Sequence, residues 1–512
     1  MSLRVFLWII KIKMVQFAFI VTVLISGTVM ASAEESVVHS ATLLDQVLQH
    51  IDNHQDEFVQ TLSDWIAIQS DSSNSQLRGE INQMLDITVQ KLKQIGAMVE
   101  LADAGSYQLP NGSSETLPQV ILAELKKDPN KPTVCIYGHV DVQPASMSDG
   151  WATYPYNLTE LNGNLYGRGA TDNKGPVLAW LHAVEAYQAL NQELPVNIKF
   201  IIEAMEEVGS PGLDQVLTMK RDTFFSDVDY IVISDNIWLS RKPALTYGTR
   251  GNCYFLVEVE SSKRDLHSGV FGGAVHEAMT DLIALLGSLV DASGRILIPG
   301  INECVTPLTE EEKELYKNIE FDIEAHIKNI GAKRFLQDTK ENVLLHLWRY
   351  PSLSIHGIEG AFSSSGTKTV IPAKVIGKFS IRQVPDMDPL VVEKQVTEYL
   401  NKIFAERNSP NTLKVSMVIG VKPWVADPSD PQYTAGRRAV KKVFNVEPDM
   451  IREGSTIPIA NAFQNALKKR VMMLPIGGFD DGEHSQNEKI SRYNYIQGTK
   501  LFATYFHELS KL

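Results

Sequence analysis

Four short runs rich in β-formers, residues 133–137, 196–202, 230–233 and 471–474, each break off into turn or acidic residues, with helix-like periodic stretches between them. This alternation constrains the chain more than any other feature. Strands separated by helices build a sheet with helices on its faces, an α/β fold. Between the first two runs Pro176 opens a helix whose Val177, Leu178, Trp180, Leu181 and Val184 recur at helical spacing, and a helical stretch at 43–68 precedes them all. A chain of 512 residues exceeds what one hydrophobic core supports, so two domains are expected. From about 247 to 421 alternating strands at 254–259 and 375–381 mix with long helices at 276–290 and 391–405, which predicts an inserted α+β unit. The expected organisation is a leader at 1–33, a catalytic domain at 34–246 and 427–512, and an inserted domain at 247–426.

The leader reads as an export signal. Arg4, Lys11 and Lys13 precede an apolar run at 15–30, and Ala31-Ser32-Ala33 supplies the small-x-small pattern a signal peptidase accepts; an uncleaved anchor is the other reading. Secretion, with no membrane attachment after cleavage, is the expectation. A net charge of −13 disfavours nucleic-acid partners. Three cysteines do not make a disulfide framework: Cys135 and Cys253 lie in apolar strand-like runs, and Cys304 in a loop-like stretch. Asn111 and Asn157 stand in glycosylation acceptor triplets within turn-rich segments.

The chemistry-bearing residues collect where the strands end. His139 follows the first run, Glu206 and Glu207 the second, Asp235 the third, and His484 follows the last through a glycine-rich turn. In open α/β sheets ligands bind beyond the carboxyl ends of the strands, so these groups are placed to converge. Imidazoles and carboxylates without thiolate suit zinc, with manganese the second choice. Asp172, in a glycine-rich loop before a helix, reads equally as a metal-bridging carboxylate or a helix N-cap. Taken singly, His139 reads as a structural histidine, Glu206-Glu207 as a solvated acidic pair and His484 as a turn residue. Strand alternation places Asp141 beside the His139 imidazole, where it fixes the tautomer of a ligand. Adjacent carboxylates allow one to bind metal while the other moves a proton.

The segments Gly138-His139-Val140-Asp141-Val142-Gln143-Pro144, Gly167-Arg168-Gly169 through Lys174-Gly175-Pro176, Met205-Glu206-Glu207, Ser234-Asp235-Asn236 and Glu483-His484-Ser485-Gln486-Asn487-Glu488 occur in the order shown by aminoacylase-like metallopeptidases. From about residue 43 to 512 the chain resembles that family, most of all its carnosine dipeptidase branch. The resemblance implies a mixed sheet flanked by helices with an inserted α+β lid and dimerisation domain, and two zinc ions per subunit. Asp172 would bridge them, His139 and Asp235 completing one site and Glu207 and His484 the other. Glu206 would be the base acting on a water shared by the ions, and Asp141 the partner of His139. It further implies a homodimer in which His267 reaches the partner subunit's site, with Thr369, Arg382 and Thr456 contacting a small dipeptide; by itself Arg382 reads as a surface charge. Where a relative in that branch reads Gly-Gly-Ser-Ile-Pro, this chain has Gly454-Ser455-Thr456-Ile457-Pro458, which keeps a hydroxyl but adds bulk.

The expected activity is hydrolysis of Xaa-His dipeptides such as carnosine and homocarnosine. A broad Cys-Gly-type dipeptidase and an N-acyl amino-acid hydrolase are alternatives. A catalytically inactive scaffold is the reading from another class; the presence of every implied ligand and the base argues against it.

Overall fold

A computed structural model describes residues 42–108 and 114–512. The leader and Asn111 lie outside them. The helical stretch expected at 43–68 is two helices, Leu43–Asn53 and Gln55–Ile66, parted at His54. The strand Thr133–His139 lies between Asn197–Glu203 and Tyr230–Ile233, all parallel, and Arg470–Met473 continues the parallel set beyond Tyr230–Ile233. Every residue of the first three strands is buried, as a parallel sheet covered on both faces requires. Antiparallel strands extend it: Val120–Glu124 and Met98–Ala102 at one side, Ala244–Thr249 and Trp424–Val425 at the other. Asp449–Glu453 pairs parallel to Ala244–Thr249. The sheet is mixed.

Alternation along Thr133–His139 feeds two layers. Cys135 and Tyr137 join a cluster with Leu213, Phe225 and Phe463, from the side of the helices Leu213–Lys220 and Pro458–Leu467. Gly138 faces the other way, against Val177 of the helix Lys174–Ala189. A Cβ there would stand 2.4 Å from the Val177 side chain, so only glycine lets this helix lie close to the strand that delivers His139. The C-terminal helix Arg492–Leu509 packs on Lys174–Ala189, with Trp180 stacked on Phe502 at 3.6 Å between centroids.

The inserted α+β domain has its own sheet and core. Four antiparallel strands run in the order Ser352–Glu359, Lys374–Arg382, Asn252–Glu260, Thr412–Val421. Cys253, Phe255, Val257 and Val259 alternate into a cluster shared with the helices Ala278–Gly287 and Pro389–Glu406. Three further helices, Glu310–Asn318, Ile323–Ile330 and Lys340–Trp348, were not separated in the sequence pattern; Tyr316, Val343, Leu344 and Trp348 from the first and last cluster with Trp238, Ala244 and Ile451. Cys135 and Cys253 are buried free thiols and Cys304 is exposed. No helix among the described residues is long and apolar enough to cross a membrane.

Candidate metal centre

His139 is the last residue of its strand, Glu206 and Glu207 occupy a single 3-10 turn (Glu206–Val208) just beyond Asn197–Glu203, and Asp235 follows Tyr230–Ile233 by two residues. Because these strands are adjacent and parallel, their carboxyl ends open onto one place. His484 and Asp172 arrive on loops. The helix after Asp172 begins at Lys174 with Asn173 at its N-cap, so Asp172 does not take the capping position.

The contacts divide into two halves around Asp172. Nε2 of His139 stands 3.1 Å from Asp172 Oδ1 and 3.2 Å from Asp235 Oδ1, while Nε2 of His484 stands 3.0 Å from Asp172 Oδ2 and 3.1 Å from Glu207 Oε2. Donor atoms of His139, Glu206 and Asp235 lie within 4.8 Å of one another, as do those of His139, Asp172 and Glu207. These sets include Glu206 as a candidate donor; the contacts of 3.0–3.2 Å run among His139, Asp172, Asp235, Glu207 and His484. His139 is 0% exposed and the His484 side chain 57%, so the centre is reached from the His484 side.

The electrostatics demand cations. Asp141, Asp172, Glu206, Glu207 and Asp235 surround two imidazoles, and no Lys or Arg pairs with any of them among the described residues. Hydrogen bonds to Asp172 and Glu207 push the His484 imidazole up to about 11. Burial opposes protonation of His139, but Asp235, Asp141 and Asp172 overcome it and hold the ring well above its ordinary value. Burial, reinforced by Asp235, Glu207 and Asp172, drives Glu206 well above the usual carboxylate range. In Asp172 the two histidines outweigh burial and hold the carboxyl low. Donors 3.0–3.2 Å apart approach the roughly 3.3–3.6 Å edge of a tetrahedron around zinc at about 2.0–2.2 Å, and imidazole with carboxylate is a zinc donor set. The residues fit divalent-metal binding.

The supporting groups are equally specific. His139 Nδ1 stands 3.1 Å from the Asp141 backbone carbonyl and 3.3 Å from its carboxylate, whose two oxygens accept the backbone N–H groups of Glu206 and Glu207 at 3.2 and 3.1 Å. Asp141 thus orients the imidazole and the acidic turn together. Gln143 had no role in the sequence reading. Its backbone N–H meets Glu207 Oε1 at 3.1 Å and its amide donates to Oε2 at 2.9 Å. The signal was available: His139, Asp141 and Gln143 continue one period-2 series. Glu206 accepts no side-chain hydrogen bond from another described residue, which leaves its carboxylate open to a bound molecule.

The four substrate candidates fall into two pairs. Arg382, at the end of Lys374–Arg382, donates from Nη1 to Thr456 Oγ1 at 2.6 Å. His267 lies on a two-residue strand, Leu266–His267, paired with Val370–Ile371; Thr369 precedes that partner, and both His267 and Thr369 are exposed. His267 Nδ1 accepts the Gly269 N–H at 3.0 Å, and no hydrogen bond joins His267 or Thr369 to the metal-centre residues. Asn157 is exposed.

A family model described as "Peptidase family M20/M25/M40" matches residues 135–508. A Mus musculus protein named "Beta-Ala-His dipeptidase" is 62% identical over 479 residues, 93% of this chain and 97% of its own length. A "Cys-Gly metallodipeptidase" of Schizosaccharomyces pombe is 46% identical, covering 92% of this chain and 99% of its own. The crystal structure of human carnosine dipeptidase 1 superposes with a TM-score of 0.85 at 60% identity, covering 92% of this chain and 99% of that one.

Proposed function

The chain belongs to peptidase family M20/M25/M40, is a metallo-dipeptidase, and from that premise we infer a two-zinc enzyme that hydrolyses Xaa-His dipeptides such as carnosine and homocarnosine outside the cell. The observation that carries the two-ion reading is the division of Asp172, one oxygen toward His139 and the other toward His484. His139 and Asp235 would hold one ion, Glu207 and His484 the other, with Asp172 shared. When bound, the ions supply Lewis acidity, lowering the pKa of a shared water and polarising the scissile carbonyl. Glu206 takes the proton from the attacking water on its free carboxylate and returns it to the leaving amine. Asp141 keeps His139 in the tautomer whose Nε2 faces the cluster and steadies the Glu206 backbone. Arg382 and Thr456 clamp the dipeptide's terminal carboxylate, and His267 with Thr369 completes the partner subunit's site. Export rests on the leader sequence, and Asn157 would then be an available glycan acceptor.

Specificity is tested by comparing carnosine, homocarnosine, Cys-Gly and an N-acetyl amino acid. The relatives above 60% identity favour carnosine, and the Schizosaccharomyces pombe relative makes Cys-Gly the second reading. We expect kcat/KM for carnosine to exceed that for Cys-Gly by at least about tenfold. A reversed ratio replaces the proposed substrate class.

Action in trans is tested by mixing Glu206→Gln and His267→Ala chains, each inactive alone. Hybrid dimers hold one complete site, so random exchange restores about a quarter of wild-type activity. If the mixture stays inactive while exchange is verified, His267 does not serve its partner.

Proton release gives a further check. Neighbouring carboxylates push His484 up to about 11 and raise His139, so coordination of either ring competes with the proton those carboxylates favour. Loading is expected to release protons and to tighten as pH rises. Calorimetry in buffers of different ionisation enthalpy reads this directly; buffer-independent heats would contradict it.

A further inference from the structure

The turn that carries His484 ends in a carboxylate for which the mechanism has no use. Glu488 is 0% exposed. Its Oε1 accepts the backbone N–H groups of Thr171 and Asp172, each at 3.1 Å, and the Gly169 N–H is shared between both oxygens at 3.1 Å. Oε2 receives Arg168 Nη1 at 2.7 Å, and the Glu488 backbone carbonyl accepts the Gly167 N–H at 3.0 Å. Asp481, from the start of the same turn, accepts the Thr171 hydroxyl at 3.0 Å. Successive N–H groups of one loop therefore converge on one buried anion, the arrangement of a backbone nest. Gly169 makes this possible: its φ is +88°, and a Cβ would stand 2.8 Å from the Val142 side chain.

The consequence is mechanical. His139 and Asp235 are set by neighbouring strands of the central sheet, which hold their own register. Asp172 and His484 sit on separate loops, 312 positions apart in the chain, and these loops are stitched together chiefly through Glu488 and Asp481. We propose that Glu488 is the positioning residue that holds the bridging Asp172 at the correct distance from His484, and so determines the affinity of the ion between Asp172, Glu207 and His484 more than that of its neighbour. This rests on the two-ion reading. Glutamate is suited to the task because an acceptor-only side chain meets four donors. Glutamine presents an NH2 to either Arg168 or the N–H nest, and alanine leaves every donor unpaired in the interior.

The test is titration of metal-free wild-type, Glu488→Gln and Glu488→Ala proteins with cobalt(II), following the visible ligand-field bands in competition with a chelator. Wild type should take two equivalents tightly. Glu488→Gln should keep one and bind the other about 10–100-fold more weakly, the usual cost of disturbing a ligand's supporting hydrogen bonds. Its kcat should fall at limiting zinc and recover with excess zinc, with KM unchanged. Glu488→Ala should follow with a larger loss; if it does not fold, the glutamine variant carries the test alone. Two wild-type affinities in Glu488→Gln, or equal weakening of both ions, overturns the proposal. A wild-type protein that binds no cobalt overturns the two-ion reading instead, so the two failures are distinct.

Discussion

Glu206→Gln should lower kcat by about a thousandfold or more while both ions stay bound and KM changes little. The substitution preserves volume and the hydrogen bonds that Asp141 makes to the backbone of Glu206 and Glu207, so the acidic turn keeps its shape. What disappears is the ability to accept a proton. Glu206 suits that role because its carboxylate is unengaged, lies within 4.8 Å of the His139 and Asp235 donor atoms, and is pushed toward higher proton affinity by burial and neighbouring carboxylates. An amide in its place neither takes the water's proton nor returns one to the leaving amine. Metal content by mass spectrometry and steady-state carnosine kinetics separate the possibilities. A loss smaller than about tenfold with full metal content assigns the base elsewhere.

Removing the ions should abolish hydrolysis and also weaken the fold. Without cations the cluster gathers five carboxylates around two imidazoles with no Lys or Arg pairing with them among the described residues, an arrangement that leaves charge incompletely paired. Ions that bind only the folded chain stabilise it by about 4 kcal/mol at a thousandfold excess over their dissociation constant. A chelator should therefore lower the unfolding temperature by several degrees and activity to background, and zinc should restore both. Asp172→Ala should reproduce the chelated state and resist rescue, because it removes the carboxylate both halves share. Full activity after exhaustive chelation, or in Asp172→Ala, would contradict the assignment.

How much of this was readable in the sequence depends on where the information resides. Tyr230–Ile233 was expected at its observed bounds, and Thr133–His139 extends two residues past the expected run because Gly138 and His139 go on pairing with Ile202 and Glu203. Met98–Ala102 was not foreseen: its exposure shows no alternation, and Met98 and Leu101 are exposed, so neither period nor burial marks it. Glu310–Asn318 escaped notice for a similar reason, with Tyr316 its one buried residue. The candidate residues were legible as types, since each histidine or carboxylate follows a strand or a glycine-rich turn. Their pairing was not. That Asp172 faces His139 with one oxygen and His484 with the other follows from two loops meeting in space, and no local pattern encodes it. Glu488 was legible only as part of a motif, because its partners are backbone N–H groups more than 300 positions away.

Crystals of the zinc-loaded protein measured at the zinc absorption edge provide the most direct test. The account predicts two anomalous peaks per chain, one beside His139 and Asp235 and the other beside Glu207 and His484, each about 2.0–2.2 Å from an oxygen of Asp172. A single peak, or a pair of peaks in which Asp172 touches only one, would contradict it.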